Sequence, residues 1–402
     1  MIDTGDTAWV LISAALVLFM TPGLAFFYGG MVRSRHVLAM LMQNIFAMGI
    51  ISVIWSAVGY SLAFGGDGAL IGDLSHAFLS GADGTSGTIP TMAFVAFQMM
   101  FAVITPALIT GATADRLRFA SYAVLIAVWA LVVYVPVARW VWNPNGWIFS
   151  MGALDFAGGA AIHINAGIAA LAVVLVIGNR RGHGTEAMPP HNLPFTVLGT
   201  GILWFGWIGF NAGSALAANG IAAQAVVNTH LAAAAGMLGW LAIERKKAGH
   251  ATTLGAASGA VAGLVAITPC AGFVGGASPL IIGGGAGIIC YLALGLKSRF
   301  SFDDSLDVIA VHLVGGLVGT ILLGIFADTG VNPDGADGVL FGGGVDLLID
   351  QTVAAVAVLA YSFIVTFVIA KVIDRLMGLR VDPVDEAMGL DQSQHSESAY
   401  QP

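Results

Sequence analysis

Long apolar runs with almost no charges recur along this 402-residue chain, and they restrict it to a membrane. A helix needs about 20 apolar residues to cross the hydrocarbon core of a bilayer. Only 9% of the residues are charged and 57% are hydrophobic, which leaves too little polar surface to cover a soluble globule of this size. The runs are unbroken, unlike the alternating strands of a membrane barrel, so we predict an all-α integral membrane protein.

Eleven of these runs are long enough to span the bilayer. They occupy residues 8–28, 37–60, 91–113, 119–138, 155–178, 193–214, 222–243, 252–273, 277–296, 303–326 and 349–376. An odd number fits an inverted repeat of two five-helix halves plus one extra helix. We therefore predict a transmembrane domain at residues 1–380 and a cytoplasmic C-terminal tail at residues 381–402.

The basic residues predict an orientation. Of the fifteen Lys and Arg residues, all except Arg139 follow or close odd-numbered spans. Because basic residues favour the cytoplasmic side, the N-terminus is predicted outside and the C-terminus in the cytoplasm. The gaps at 65–90 and 327–348 contain Asp but no Lys or Arg. This acidic outer face either concentrates cations or is simply free of positive charge, as outer loops often are.

Two histidines mark a candidate polar path. His163 and His312 lie near the middle of spans five and ten, the fifth helices of the two halves. An ionisable side chain at such depth usually faces a bundle interior or a hydrated cavity. A facing pair of neutral imidazoles can share a proton and still present ring edges to a small polar solute. Structural hydrogen bonding between helices is the alternative.

An acidic residue and several aromatic residues accompany the histidines. Asp155 precedes His163 by eight residues, where capping of a helix and stabilisation of an arriving cation are compatible roles. Phe97 and Phe101 share a helix face by their spacing. Other aromatic and hydroxyl groups toward the outer side are Trp142, Trp207, Phe210 and Ser214. Such residues either anchor a protein at the lipid interface or bind a small cation by cation–π attraction and a hydrogen bond.

Motifs along essentially the whole chain resemble the ammonium transporter family, Amt/Mep/Rh, of the bacterial Amt type. The segment DFAGGAAIHINAG at 155–167 is similar to the family signature. The other matching segments are residues 21–33, 97–109, 203–214, 303–316 and 389–400. The resemblance implies a homotrimer in the plasma membrane, the inner membrane of a bacterium. It implies one ammonium-selective pore per subunit and a transporter or channel rather than an enzyme.

The resemblance also implies a role for each candidate residue. By position, Trp142, Phe101 and Ser214 resemble an outer recruitment site for ammonium, and Asp155 resembles an essential aspartate beneath it. An aromatic gate is implied at Phe97 with Phe101, or at Phe101 with Phe210, beside Trp207. His163 and His312 resemble the twin-histidine pair of the pore. We therefore expect recruitment of NH₄⁺, its deprotonation, and conduction of NH₃ together with a proton into the cytoplasm.

The tail resembles a cytoplasmic segment that couples subunits, and the family implies a PII-type regulatory protein as a partner on that side. No cofactor, metal or nucleic-acid partner is expected. Three features depart from the family pattern: Ser396 stands where glycine is usual, the loop after Trp142 is longer by a residue, and His230 has no matching role.

Two other functions are weighed against transport. A membrane redox protein would use the two histidines as axial haem ligands, but it would need a cofactor cavity or further ligands. A sensor would report ammonium through its tail, and the roughly 22 residues after Arg380 are few for a signalling domain.

The predicted topology can be tested by cysteine labelling. Single cysteines near residues 75 and 335 should react with a membrane-impermeant reagent on intact cells, and a cysteine near residue 247 only after permeabilisation. The native Cys270 and Cys290, which lie in apolar spans, provide the background. Labelling near residue 247 from outside would overturn the orientation.

Overall fold

The computed structural model describes residues 1–400, and it confirms an all-α membrane architecture. Within that range, ten helices are long and apolar enough to cross a bilayer. With one shorter apolar helix they are numbered in chain order: Thr4–Met31 (α1), Ser34–Phe64 (α2), Thr91–Thr113 (α3), Phe119–Met151 (α4), Gly159–Ile177 (α5), Leu193–Gly213 (α6), Gly220–Ala248 (α7), Thr253–Ile267 (α8), Ser278–Arg299 (α9), Ile309–Phe326 (α10) and Asp346–Met377 (α11). A small antiparallel hairpin pairs Thr85–Ser86 with Ile89–Pro90 before α3.

The shorter helix, α8, lies where the eighth span is predicted at 252–273. It has only 15 residues, whereas a spanning helix needs about 20. The predicted number of eleven spanning helices therefore stays a prediction at this point of the chain.

The first helices of the two halves, α1 and α6, pack closely against each other. Glycines of α6 make this approach possible. A Cβ atom at Gly199 would overlap the backbone of Phe27 and would approach the carbonyl oxygen of Gly23 to 2.6 Å. Small residues at such contacts let membrane helices approach and gain van der Waals energy.

Each histidine-bearing helix begins with a π-helical turn. In α5 the turn is Gly159–Ile164, and in α10 it is Ile309–Leu313. His163 and His312 therefore lie within the first five residues of their helices, and the predicted position near the middle of each helix is wrong. Both helices begin only a few residues before the histidine. The preceding residues are not helical, because the carboxylates of Asp155 and Asp304 accept N–H groups at the start of the helix.

The segment after α11 packs against the loops that carry Arg35, Arg118 and Arg181. It forms two short helices, Pro383–Met388 (α12) and Leu390–His395 (α13). Asp391 Oδ1 accepts the backbone N–H of Ala39 at 2.8 Å, and Glu386 Oε1 accepts that of Arg181 at 2.6 Å. The described part of the predicted tail is thus tied to the helical body. Residues 401 and 402 lie outside the described residues.

Two departures from the family pattern can be placed. Ser396 ends α13 with a φ of 57°, in the left-handed region that glycine adopts most easily. The turn therefore forms with serine. His230 lies on the exposed surface of α7, where its ring packs on Trp204 with centroids 5.4 Å apart.

The contact between α1 and α6 predicts opposite effects for two glycines of the same helix. Gly199→Ala should lower the free energy of unfolding by about 1–3 kcal/mol, because the new methyl group overlaps α1. The measurement is thermal unfolding of the detergent-solubilised protein. Gly201 has open space around its Cα, so Gly201→Ala should leave stability unchanged or raise it through better helix propensity. Equal effects of the two substitutions would show that this close contact does not contribute to stability.

Candidate functional site

A cavity of about 300 Å³ opens on the side of the loops 65–90 and 327–348, and we call it the vestibule. Three predicted site residues, Trp142, Asp155 and Ser214, line it together. Trp142 is the last residue of the helical segment Val135–Trp142, which continues four residues past the predicted end of the fourth span at residue 138. Its indole N–H donates to the carbonyl oxygen of Asp155 at 3.0 Å, which fixes the ring at the wall of the vestibule.

The carboxylate of Asp155 caps α5. Its Oδ1 accepts the N–H groups of Gly158 and Gly159, both at 2.7 Å, and its Oδ2 accepts those of Ala160 at 2.9 Å and Ala161 at 3.1 Å. The first N–H groups of a helix have no partner within the helix, and these bonds satisfy them. Because both carboxylate oxygens are engaged, the charge of Asp155 acts on the vestibule through space.

Below the vestibule, Phe101 stacks on Phe210 with ring centroids 4.4 Å apart, and we call these two residues the stacked pair. Phe101 also meets Trp142 edge-to-face at 5.8 Å. Phe97 packs edge-on against Phe101 at 4.7 Å but lines neither the vestibule nor the cavity beneath it. Phe101 and Phe210 are each 1% exposed, and the stacked pair lies between Trp142 of the vestibule wall and a second cavity that Phe210 lines.

The second cavity, which we call the inner cavity, contains the histidines. His163 and His312 approach each other through their Nδ1 atoms at 3.2 Å, so one ring donates and the other accepts. Phe210 and Trp207 line the same cavity, and the rest of its wall is mainly aliphatic. Its free volume is about 10 Å³, close to the room that one water-sized molecule needs. The Nε2 atom of His163 is buried and has no hydrogen-bond partner.

This geometry does not suit haem. A haem with two axial histidines holds its macrocycle between the two rings, whereas here the two Nδ1 atoms are 3.2 Å apart. The inner cavity has space for a small molecule only. Among residues 1–400, no group of three or more His, Cys, Asp or Glu side chains is arranged to hold a metal ion.

The sequence reasoning missed the residue that corresponds to Asp155 in the second half. Asp304 precedes His312 by eight residues, as Asp155 precedes His163. Its Oδ1 accepts the N–H of Val308 at 3.1 Å, and its Oδ2 accepts that of Ile309 at 2.7 Å. The repeated spacing from Asp to His was the signal that could have found it. The sequence reasoning also missed Thr268, whose hydroxyl accepts the indole N–H of Trp207 at 2.9 Å.

The model of the Ammonium Transporter Family matches residues 8–400. This chain belongs to the ammonium transporter family. The resemblance found in the sequence is therefore confirmed, and the protein is a membrane transporter of ammonium rather than an enzyme.

Individual relatives are similar to this chain over nearly its whole length. An ammonium transporter of Mycobacterium tuberculosis (strain ATCC 25618 / H37Rv) is 50% identical, over 99% of this chain and 90% of that protein. The crystal structure of Candida albicans Mep2 is 37% identical with a TM-score of 0.91, covering 99% of this chain and 91% of that one. A structure described as a sensor Amt protein is 29% identical with a TM-score of 0.91, covering 97% and 98%.

Proposed function

We propose that this transporter recruits ammonium ions in the vestibule, removes a proton, and conducts ammonia together with that proton past the stacked pair and the histidines into the cytoplasm. The supporting observation is the closed stack of Phe101 on Phe210 between an open cavity and a cavity of about 10 Å³. A bare ion in such a dry passage has a Born penalty on the order of tens of kcal/mol. Neutral ammonia avoids that penalty.

Recruitment uses three kinds of attraction in the vestibule. The ring of Trp142, with Phe101 edge-on against it, offers a π face to a cation. The hydroxyl of Ser214 donates to the carbonyl of Phe210 at 2.9 Å, which leaves its own oxygen free to accept an N–H of ammonium. The charge of Asp155 adds a long-range field. Phe97 supports the gate from behind Phe101, and the rings of the stacked pair move aside for ammonia.

Selectivity follows from deprotonation. A potassium ion feels the same cation–π attraction but has no proton to lose, so it cannot become neutral before the stacked pair. Beyond the pair, the free Nε2 of His163 is available to hydrogen-bond ammonia, and the Nδ1 contact with His312 provides a route for the proton. Trp207, fixed by Thr268, forms a wall of this cavity.

We further propose the arrangement in the membrane. The basic gaps favour an N-terminus outside and a cytoplasmic C-terminus, in the inner membrane of a bacterium. The family supports a homotrimer with one pore per subunit. The tail at 381–402, tied to the basic side in its described part through the hydrogen bond from Arg181 N–H to Glu386, is the surface that a PII-type regulatory protein would reach.

A sensor role is the second candidate, because the sensor Amt protein shares this fold with a TM-score of 0.91. A sensor would bind ammonium in the vestibule without carrying it. Ammonium-evoked current in proteoliposomes separates the two, since a pure sensor gives none.

Trp142→Leu should weaken recruitment because it removes a cation–π partner worth roughly 0.5–2 kcal/mol. We expect the ammonium concentration for half-maximal current in proteoliposomes to rise several-fold. Trp147→Leu is the matched control, since Trp147 packs on Trp140 and does not line the vestibule. An unchanged concentration dependence in Trp142→Leu would mean that Trp142 serves only as an anchor.

His163→Ala and His312→Ala should each yield folded protein that has lost proton-coupled ammonium current, with a leak to potassium through the wider inner cavity. The reason is that either change removes the Nδ1 contact and ring volume while leaving the glycine-mediated helix packing intact.

The measurement compares ammonium-evoked and potassium-evoked currents in proteoliposomes with elution on size exclusion. His230→Ala, which removes a histidine from the surface of the bundle, is the control and should behave as wild type. If the folded His163 and His312 variants keep wild-type current and selectivity, the pair is structural and the pore mechanism is wrong.

A further inference from the structure

A carboxylate outside the family motifs lies at the mouth of the vestibule. Asp334, in the loop between α10 and α11, lines the same cavity as Trp142, Asp155 and Ser214. The residue is exposed, and its carboxylate accepts no hydrogen bond from any of residues 1–400. The carboxylate of Asp334 is therefore available to water and to any ion that enters the cavity.

The loop fixes where this charge lies. The backbone N–H of Asp334 donates to Oδ1 of Asn332 at 3.1 Å, and Asn332 is itself only 5% exposed. The N–H of Asp328 donates to the carbonyl of Phe273, another residue of the vestibule wall, at 2.9 Å. These bonds anchor both the loop and the turn that carries Asp334 to the cavity.

Asp337, another acidic residue of the same loop, accepts hydrogen bonds within the loop. Asp337 accepts the backbone N–H of Thr329 at 2.7 Å and its hydroxyl at 2.9 Å. These two hydrogen bonds hold the pKa of Asp337 below its usual value. Asp337 therefore closes the loop, whereas Asp334 remains free at the cavity.

No basic side chain opposes Asp334. Among residues 1–400, the residues that line the vestibule include no Lys or Arg. Arg139, the one Lys or Arg on this side, is buried and donates to the carbonyls of Gly65, Gly66 and Gly68. An approaching cation therefore meets the charges of Asp334 and Asp155 without a compensating positive charge.

We propose that Asp334 is a further recruiting residue of this transporter, which raises the concentration of ammonium ions at the mouth of the vestibule before they reach Trp142 and Ser214. The proposal rests on the proposed function. An exposed carboxylate leaves the ion hydrated. It therefore raises the rate at which ions enter the vestibule and does not change the rate at which they pass the stacked pair. Its loss affects transport at low ammonium and leaves the current at saturating ammonium unchanged.

The test is the concentration dependence of ammonium-evoked current in proteoliposomes of the full chain. At about 0.01 M ionic strength, Asp334→Asn should raise the half-saturating ammonium concentration about two- to threefold, and Asp334→Lys should raise it further. Asp334→Glu should restore the wild-type value. At about 0.5 M salt the difference between Asp334→Asn and wild type should disappear, because the field is screened.

Asp346→Asn is the matched control. Asp346 is also exposed on this side, in the first turn of α11, but it does not line the vestibule. A wild-type value for Asp346→Asn beside a raised value for Asp334→Asn supports the proposal. Equal shifts in both variants, or none in Asp334→Asn, overturn it while the current itself still supports transport. Absence of any current in wild type overturns the proposed function, and this inference with it.

Discussion

The N–H groups in the first turn of a helix have no partner within the helix, and inside a bilayer they need a hydrogen-bond acceptor from the protein. This need for an acceptor determines the centre of the structure. Asp155 and Asp304 meet it in the two halves. Each carboxylate lies eight residues before a histidine and bonds to the turn that carries that histidine. The distance of 3.2 Å between His163 and His312 therefore depends on two caps that are themselves outside the inner cavity.

The sequence predicted the parts of the fold that depend on composition and local spacing. The spans, the burial of both histidines and the shared face of Phe97 and Phe101 follow from hydropathy and helical periodicity. The length of α8 could not be predicted from hydropathy, because the apolar run continues past Ile267. The helix ends there because proline, which follows at position 269, cannot continue a helix. Hydropathy reports burial in lipid, but not where backbone hydrogen bonding changes.

The arrangement of the site was also only partly predictable. Spacing places Phe97 and Phe101 on one face, but it cannot show that Phe101 stacks on Phe210 while Phe97 packs edge-to-face against Phe101. That difference arises from contact with Phe210, more than 100 residues away in the chain. Asp304 was overlooked for a related reason, since it was read as the beginning of an apolar span rather than as a cap.

The closed stack of Phe101 on Phe210 has a consequence for kinetics. In the proposed mechanism, filling of the vestibule and passage beyond it are separate events, because the ring centroids are only 4.4 Å apart and the rings must part for each passage. Once the vestibule is always occupied, additional substrate cannot increase the frequency at which the rings part. A pore that works by the proposed mechanism has a turnover ceiling, and its flux saturates as that of a carrier does.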